Sequence, residues 1–484
     1  MDAASQDKKH IVIVGGGIIG CTTAYYLTRH PKFNPSLHTI TLLEASTIAA
    51  GASGKAGGLL ALWAYPSCLV PLSYRLHAEL AKEHNGAERW GYRRVGCGTI
   101  SAIVKDADLK KQTDLAGVTQ KLEEKASAVL NGVANLGNGN NSPQVEPTPI
   151  EKPETTTGTD NPLPVQSTIP DASSSDKAWE KLPKQDAAAT AHLHDSPLPA
   201  DLDWIDGSLV QSYETMGLAP RNGATDTAQV HPFHFTTAMA ELARAAGVDI
   251  RLGAKVTQIN HTKTGLQSVE YENRETGATV VMTDITDLVV AGGPWTGKLL
   301  PRSEVEGLRA HSVVLEADVS PYAVFTDIQL PTDYVPEHRK AKGQKRKHRG
   351  NVDPEIYARP FGEVYACGEP DTTVPLPDTA DKVETDESQC DDLTAYVSTI
   401  SPVLASAPVK TKQACYLPRH MRFGEERGPL VGPTGTPGIW VAAGHTCWGI
   451  QNGPATGCLM AEMLLDGEAK SADIEKLDPR KFKV

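Results

Sequence analysis

A short apolar run leads directly into a glycine-rich turn near the start of the chain. Residues 10–20 have the sequence HIVIVGGGIIG, in which Gly15, Gly17 and Gly20 fit the pattern G-x-G-x-x-G. A strand that enters such a turn and continues into a helix leaves backbone N–H groups free at the helix N-terminus, where they can hold phosphate. The stretch therefore predicts a strand–turn–helix unit of a parallel sheet, with the helix over roughly 18–30.

An acidic residue closes the next predicted strand. Residues 39–45 (TITLLEA) are mostly apolar or β-branched, and Glu44 follows Gly20 by 24 positions. A carboxylate at this place can accept hydrogen bonds from both ribose hydroxyls of a dinucleotide and would repel a 2′-phosphate, which excludes NADP. The turn and the acid together predict a dinucleotide site, and the alternative is a tight turn that binds no ligand.

Three further segments rich in small residues favour FAD over NAD. They are GASGKAGGLLA (51–61), VVAGGPW (289–295) and GHTCWGIQNGPATG (444–457). Small residues let the backbone run close to a diphosphate and a flavin, and a nicotinamide enzyme would not need all three. No second G-x-G-x-x-G follows an apolar run. We therefore expect electrons to enter from an organic substrate rather than from NAD(P)H.

The order of strands and helices indicates an α/β fold. With a second sheet added, the chain as a whole is α+β and has two domains. One is a Rossmann-type FAD-binding domain whose strands come from distant parts of the chain, and the other is a substrate domain with a mixed or antiparallel sheet. The predicted segments are 8–62, 228–300 and 428–472 for the FAD-binding domain, and 63–124, 201–227 and 301–427 for the substrate domain.

A long polar segment interrupts the substrate domain. No Phe, Tyr or Trp occurs between Arg93 and Ala178, and residues 138–175 are rich in Pro, Thr, Ser, Asn and Gly. Such a segment buries too little apolar surface to offset the entropy of ordering it. Residues 125–200 are therefore predicted to form a disordered insertion.

The charge balance limits the partners. The chain has 47 Lys and Arg against 59 Asp and Glu, a formal net charge of −12. A surface this acidic disfavours nucleic acid and anionic lipid. The basic run 338–350 (HRKAKGQKRKHRG) is the local exception. It could be a nuclear-import or lipid-contact patch, or a solvated loop between two strands.

Cysteine spacing and hydropathy indicate the compartment. The eight cysteines include no CxxC pair and no zinc spacing, which is typical of reduced thiols in the cytosol and predicts no metal site. No apolar run of 18 residues occurs, and the first ten residues are polar, so neither a membrane span nor a secretory signal is expected. The expectation is a cytoplasmic protein without integral membrane association, whose protein partners the sequence does not identify.

The motifs, in this order, resemble those of the D-amino-acid oxidase-like FAD-dependent oxidoreductases, which include glycine and sarcosine oxidases. The resemblance covers GGGIIG, Glu44, GASGKAGG, the block 230–259, AGGPW and GHTCWGIQNGPATG, about half of the chain. The overall sequence is most similar to fungal FAD oxidoreductases, which adds an expectation of association with endosomes. The insertion and the loops at 335–352 and 376–392 depart from bacterial members and leave the substrate open.

The resemblance implies oxidation of a C–N bond in a small amine or amino acid, with hydride transfer to flavin and O₂ as acceptor, giving H₂O₂. A dehydrogenase with another acceptor, or an FAD-binding trafficking or interaction protein with little turnover, are the alternatives. The residues expected to contact FAD are Gly15, Gly16, Gly17, Ile18, Gly20, Glu44, Ala45, Ser46, Ser53, Gly54, Lys55, Ala56, Gly57, Gly58, Leu59, Val256, Ala291, Gly292, Trp295, Cys415, Gly444, His445, Gly449, Ile450, Gly453, Pro454, Ala455 and Thr456.

Four residues are candidates for contact with the substrate. Arg359 lies in EIYARPFGEVYACGEP (355–370), a predicted hairpin that in the family presents an arginine to the substrate carboxylate. Several members place that arginine after the proline, whereas Arg359 precedes Pro360, so a surface or structural ion pair is the alternative. Tyr416, Trp448 and His445 are the other candidates, and His445 could equally be a structural histidine.

Cys415 matches a position where sarcosine oxidase-like enzymes carry a cysteine linked to the flavin. The residues after Tyr416 are Leu417-Pro418-Arg419 rather than the usual Thr-Pro-Asp. Covalent attachment of FAD through Cys415 is one interpretation, and an ordinary buried cysteine that packs as a small apolar residue is the other.

The insertion prediction can be tested by deletion. Removing 125–200 should leave flavin binding unchanged, because a disordered segment contributes no contacts to the folded site. Flavin content per chain of the purified full-length and deleted proteins, read from visible absorbance, checks this. Loss of the flavin on deletion would contradict the predicted disorder.

Overall fold

The computed structural model describes residues 8–111, 197–217, 226–347 and 350–484. The predicted disordered insertion therefore lies outside the described residues except for 197–200. The chain forms two compact units, one from 1–105 with 192–484 and the other from 106–191. Of the second unit the structure describes only 106–111, and every element given below lies in the first.

The described residues contain ten α-helices and twenty strands. The helices are α1 (Ile18–Arg29), α2 (Ala52–Lys55), α3 (Val70–Glu83), α4 (Gly86–Trp90), α5 (Pro232–Ala245), α6 (Thr296–Leu299), α7 (Glu337–Lys340), α8 (Glu387–Ser398), α9 (Pro402–Ser406) and α10 (Gly449–Asp466). The strands are β1 (Lys9–Val14), β2 (His38–Leu43), β3 (Leu59–Ala61), β4 (Arg93–Arg94), β5 (Gly96–Ile103), β6 (Val210–Thr215), β7 (Thr227–Gln229), β8 (Asp249–Arg251), β9 (Ala254–Thr262), β10 (Gly265–Asn273), β11 (Thr279–Met282), β12 (Asp287–Val290), β13 (Val305–Glu316), β14 (Tyr322–Gln329), β15 (Glu355–Arg359), β16 (Glu363–Cys367), β17 (Val409–Arg422), β18 (Glu425–Arg427), β19 (Leu430–Pro433) and β20 (Ile439–Ala443).

A six-stranded sheet has the order β19-β20-β12-β1-β2-β8 and is parallel except for β19. Its central strand β1 is flanked by β12 and β2, with Val14 opposite Val290 on one side and Leu43 on the other. The glycine turn, Glu44 and Ala291 all follow directly, so they meet at the carboxyl edge of the sheet. The α/β prediction is confirmed, with strands collected from both ends of the chain.

An eight-stranded sheet has the order β18-β17-β13-β16-β15-β14-β5-β6, antiparallel except for the β14–β5 pair. The predicted hairpin is present as β15 and β16, joined by a turn in which Phe361 and Gly362 have positive φ. Two three-stranded sheets, β11-β10-β9 and β3-β7-β4, complete the described strands.

The strands of the six-stranded sheet fall within the segments predicted for the FAD-binding domain, and those of the eight-stranded sheet within the substrate-domain segments. Both sheets belong to the same compact unit. The division into two domains therefore stays a prediction.

The basic run 338–350 lies between β14 and β15 and includes part of α7. Arg339 donates to both carboxylate oxygens of the buried Asp392, and Lys347 to Gln389. Some of its charge is therefore paired within the chain. No helix in the described ranges combines the length and apolar character that crossing a bilayer requires.

Small residues allow α1 and α10 to pack closely beside the six-stranded sheet. A Cβ added at Gly453 would lie 2.7 Å from Ile18 Cγ1, and one at Gly457 would lie 2.5 Å from the backbone carbon of Thr22. Thr22 Oγ1 donates to the Gly453 carbonyl at 2.8 Å. The glycines at 453 and 457 therefore fix the first and last helices against each other.

Pro454 lies inside α10 and cannot donate a backbone hydrogen bond to the Ile450 carbonyl. His77 Nε2, on α3, donates to that carbonyl at 2.9 Å. Burial lowers the pKa of His77 to about 4, so the ring is neutral and the donation fixes its tautomer. The histidine supplies from α3 the hydrogen bond that the proline removes.

Gly457→Ala tests the helix contact. Alanine favours a helix by about 1 kcal/mol over glycine, but overpacking against the backbone of α1 costs about 1–3 kcal/mol or more. We expect a net decrease in the free energy of unfolding, measured by urea denaturation. Gly350→Ala is the control, since a Cβ at Gly350 meets no atom within 4 Å. A Gly457→Ala protein as stable as the parent would contradict the close packing.

Candidate functional site

One elongated cavity of about 510 Å³ runs from the carboxyl edge of the six-stranded sheet to the face of the eight-stranded sheet. Its walls come from the glycine turn, the segment 50–59, the turns after β12 and β20, and strands β14 to β17. The cavity therefore joins the predicted nucleotide-binding turn to the strands predicted to meet the substrate.

Gly15 allows the chain to turn sharply after β1. Its φ is +113°, and a Cβ there would lie 2.4 Å from the Ala291 carbonyl oxygen, so no other residue fits. Gly17 begins α1 without a side-chain cap, and the Ile18 N–H donates to Ser53 Oγ at 2.9 Å. The start of this 12-residue helix, where Ser53 Oγ accepts from the first helical N–H, therefore faces the cavity, and its partial positive charge suits a phosphate.

Glu44 fixes the geometry of the turn through both carboxylate oxygens. Oε2 accepts from the Gly16 N–H at 2.7 Å, and Oε1 accepts from Ser46 N and Oγ at 2.7 and 2.9 Å. The carboxylate also lines the cavity. It therefore has the place and acceptor chemistry that the ribose prediction requires.

The segment after α2 brings backbone against the eight-stranded sheet. A Cβ on Gly57 would lie 1.9 Å from Tyr357 Cδ2, and one on Gly58, whose φ is +84°, would lie 2.0 Å from the Val230 carbonyl oxygen. Lys55 Nζ donates to the Ala414 carbonyl at 2.9 Å, and burial lowers the pKa of this amine. Small residues here let the backbone pass close to the Tyr357 ring, which also lines the cavity.

The turn before α10 supplies His445 and Trp448. His445 is buried, shares a hydrogen bond of 3.1 Å between Nε2 and Thr456 Oγ1, and has its pKa lowered to about 3 by burial. Its buried Nδ1 has no partner among the described residues. The neutral ring therefore offers one unused nitrogen in the cavity wall, while Trp448 provides an aromatic surface.

Cys415 on β17 is buried and lines the cavity. Burial raises the pKa of its thiol to about 11, although the charge of Lys55 lowers it. The thiol is therefore protonated at neutral pH. The covalent link to flavin stays a prediction.

Two of the four predicted substrate contacts lie outside the cavity wall. Arg359 is buried, and its Nη2 lies 2.8 Å from Glu363 Oε2 in an ion pair. Tyr416 directs its hydroxyl to the carbonyls of Val374 and Pro375, at 2.9 and 3.0 Å. Arg359 therefore forms the structural ion pair that the alternative interpretation describes. It is not among the residues that line the cavity.

The predicted cofactor residues divide into those that line the cavity and those that support its wall. Cavity-lining residues among the predictions are Gly15, Gly17, Ile18, Glu44, Ala45, Ser53, Lys55, Ala56, Gly57, Gly58, Leu59, Val256, Ala291, Gly292, Trp295, Cys415, His445, Gly449 and Ile450, together with Trp448. The predicted residues that do not line the cavity are Gly16, Gly20, Ser46, Gly54, Gly444, Gly453, Pro454, Ala455 and Thr456. Contact with FAD stays a prediction for both groups.

Sequence reasoning missed a row of cavity residues on the eight-stranded sheet, namely Phe325, Glu355, Tyr357, Tyr365 and Cys367. A signal was available, because Glu355 and Tyr357, and likewise Tyr365 and Cys367, are two positions apart on the predicted strands and so share a face. Trp63, which follows the segment 51–61, also lines the cavity.

The residues present fit a dinucleotide such as FAD. The glycine turn leaves no room for a Cβ at Gly15, the start of α1 is uncapped by its own side chains, and a carboxylate stands at the end of β2. No group of three or more His, Cys, Asp or Glu in the part of the chain that the structure describes could hold a metal ion. The donors that line the cavity at this end are of the kind that a nucleotide requires.

Comparison with known sequences identifies the family of the chain. The family model "DAO: FAD dependent oxidoreductase" matches residues 10–138 and 151–463. The chain is 38% identical to "Putative oxidoreductase TDA3" of Saccharomyces cerevisiae, over 99% of this chain and 95% of that protein. It is 30% identical to "Putative oxidoreductase C1F5.03c" of Schizosaccharomyces pombe, over 98% of each.

Solved structures share the fold at low sequence identity. Glycine oxidase from Bacillus cereus matches with a TM-score of 0.56 and 17% identity, over 96% of this chain and 99% of that one. L-proline dehydrogenase from P. horikoshii matches with a TM-score of 0.57 and 15% identity, over 98% of each chain. The chain belongs to the DAO family of FAD-dependent oxidoreductases.

Proposed function

We propose that the protein oxidises the C–N bond of a small amine or amino acid. The observation that carries this proposal is one cavity that joins the glycine turn to a largely aromatic end on the fold of this family. FAD, when bound, would accept a hydride from the carbon next to nitrogen, and water would hydrolyse the resulting C=N bond to a carbonyl compound and an amine.

The cofactor is proposed to bind through the predicted residues. The uncapped start of α1 with Ser53 would hold the pyrophosphate, and Glu44 the ribose. The first residues of α10, Gly449 and Ile450, line the cavity, and the side chains of this 18-residue helix provide no N-terminal cap. Its N-terminus favours negative charge in that wall.

Substrate contact is proposed for Trp448 and His445, which line the cavity. Arg359 and Tyr416 enter the proposal as positioning residues. Arg359 lies over the ring of Tyr365, 5.8 Å from its centroid, and Nη1 donates to the Ala56 carbonyl at 3.4 Å. Through these two contacts Arg359 would hold in position Tyr365 and Ala56, which line the cavity.

The acceptor is proposed to be O₂, with release of H₂O₂. A dehydrogenase using another acceptor is the alternative within the same fold, and a similar solved structure is named as an L-proline dehydrogenase. The cytoplasm is the proposed compartment.

The flavin proposal predicts a yellow protein that an amine reduces. The purified chain should show flavin absorbance near 450 nm, and an amine from a screened panel should bleach it anaerobically, because the hydride has no other acceptor. Oxygen uptake with H₂O₂ release, against dye reduction alone, separates oxidase from dehydrogenase. Colour that stays with an acid precipitate would indicate covalent flavin.

Two results would go against the proposal. A protein that stays colourless after reconstitution with FAD would rule out the flavin site. A yellow protein that no amine bleaches would favour the trafficking or interaction role, in which FAD serves structure only.

Glu44→Gln should weaken FAD binding. The amide keeps one acceptor oxygen and replaces the other with a donor, so either the Gly16 N–H or the Ser46 groups lose their partner. We expect the Kd for FAD to rise about 10–100-fold, the effect of losing a hydrogen bond to a charged group. Fluorescence titration of the flavin-free protein measures it.

The control for Glu44→Gln is Glu79→Gln on α3, which removes a half-exposed carboxylate paired with Arg75 and distant from the cavity wall. Its Kd should match that of the parent. Equal Kd values for Glu44→Gln and the parent protein would contradict the ribose assignment.

A further inference from the structure

The aromatic end of the cavity contains five rings in continuous contact. Trp448 contacts Trp63 with ring centroids 5.6 Å apart, Trp63 contacts Phe325 at 6.2 Å, Phe325 contacts Tyr357 at 5.9 Å, and Tyr357 stacks on Tyr365 at 5.9 Å. All five side chains line the cavity. This aromatic cage presents ring surface on several sides of one space, an arrangement that attracts cations through the ring quadrupoles.

Glu355 adds a negative charge to the aromatic cage. In the eight-stranded sheet it lies opposite Phe325 on β14 and opposite Cys367 on β16, and all three line the cavity. Its carboxylate accepts from the Tyr357 hydroxyl, and Cys367 Sγ lies 3.9 Å from Oε2. Burial raises the pKa of this carboxyl group, although the two hydrogen bonds lower it. A cation bound beside it would therefore stabilise its charged form.

No positive side chain pairs with Glu355 among the described residues of the cavity wall. Lys255 pairs with Asp378 at 2.8 Å, and Lys298 donates to the Leu376 and Pro377 carbonyls, next to Trp295 at the other end. Lys55 donates to Ala414 on β17. Because β17 is three strands from β15, the two backbones are about 14 Å apart.

The arginine that was expected to bind a substrate carboxylate is also paired within the protein. Arg359 is paired with Glu363, whose other oxygen accepts from Lys410 Nζ at 2.7 Å. A substrate carboxylate in the aromatic cage would meet Glu355 without a compensating cation, and like charges at close range repel.

We infer that the substrate is a cationic amine that carries no carboxylate, held with its nitrogen in the aromatic cage and Glu355 as its counter-ion. This inference rests on the proposed function and narrows it, because it selects amines over amino acids. The apolar substituents of such an amine would contact the rings, and the charge of its nitrogen would be balanced by Glu355.

The test uses three probes with the same tert-butyl-like body and different charge. Choline carries a permanent positive charge, 3,3-dimethyl-1-butanol is its uncharged isostere, and 3,3-dimethylbutanoate is an anion. Titration calorimetry on the FAD-bound protein gives each Kd without turnover. We expect choline to bind at least about 10-fold tighter than the alcohol, the combined effect of an ion pair and cation–π contacts, and the butanoate to bind weaker than the alcohol.

Glu355→Gln keeps the size of the side chain and an acceptor for Tyr357, and removes the charge. The preference for choline over the alcohol should fall at least about fivefold, because the charge-assisted contribution is lost. Glu355→Asp should retain most of the preference. Glu214→Gln is the matched control, since it makes the same charge change at an exposed position on β6, outside the cavity wall, and should leave the preference unchanged.

The outcomes separate this inference from the proposed function. Equal Kd values for choline and the alcohol, or tighter binding of the butanoate, would overturn the inference even if amino acids bleach the flavin. The comparison on the unsubstituted protein decides this even if Glu355→Gln fails to fold. A choline preference that Glu355→Gln removes supports the inference whether or not an oxidisable amine has been found, whereas failure of every amine to bleach the flavin counts only against the proposed function.

Discussion

The close approach of two backbone turns at the carboxyl edge of the six-stranded sheet supports the rest of the structure. Gly15 turns so near the Ala291 carbonyl that a Cβ would lie 2.4 Å from its oxygen. This contact holds the ends of β1 and β12 together and frees the start of α1 to face the cavity. Glu44 then fixes the turn from the β2 side through the Gly16 N–H. One steric constraint and one carboxylate thus shape the sheet edge at which we propose that the nucleotide binds.

The two ends of the chain meet through the same kind of contact. Glycines 453 and 457 bring α10 against α1, and Thr22 bonds to the Gly453 carbonyl. The proline in α10 would leave the Ile450 carbonyl unpaired, and His77 supplies the missing donor from α3. Unpaired buried carbonyls are costly, so the proline is tolerated because a third helix compensates for it. The helix that brings Gly449 and Ile450 to the cavity is thereby anchored on two sides.

The two ends of the cavity differ in the chemical groups that line them. At the nucleotide end, the backbone provides donors and Glu44 provides acceptors, which is the chemistry of a ribose and a pyrophosphate. At the sheet end, the alternation of β15 and β16 directs Glu355, Tyr357, Tyr365 and Cys367 to one face. Arg359 shares this strand but lies at its far end, where Glu363 neutralises its charge. The sheet end of the cavity is therefore lined by Glu355 and not by the arginine that the resemblance implies.

Local patterns of glycine, apolar residues and spacing were enough to predict the strand–turn–helix unit at residues 9–29, the acid at the end of β2, the hairpin at 355–367 and the family. They did not determine which side chains line the cavity. Arg359 matched a motif, yet its charge is paired with Glu363 across the hairpin, and the aromatic cage depends on register between β14, β15 and β16. These points required the folded structure, since cross-strand neighbours and ion-pair partners are set by packing between segments far apart in the chain.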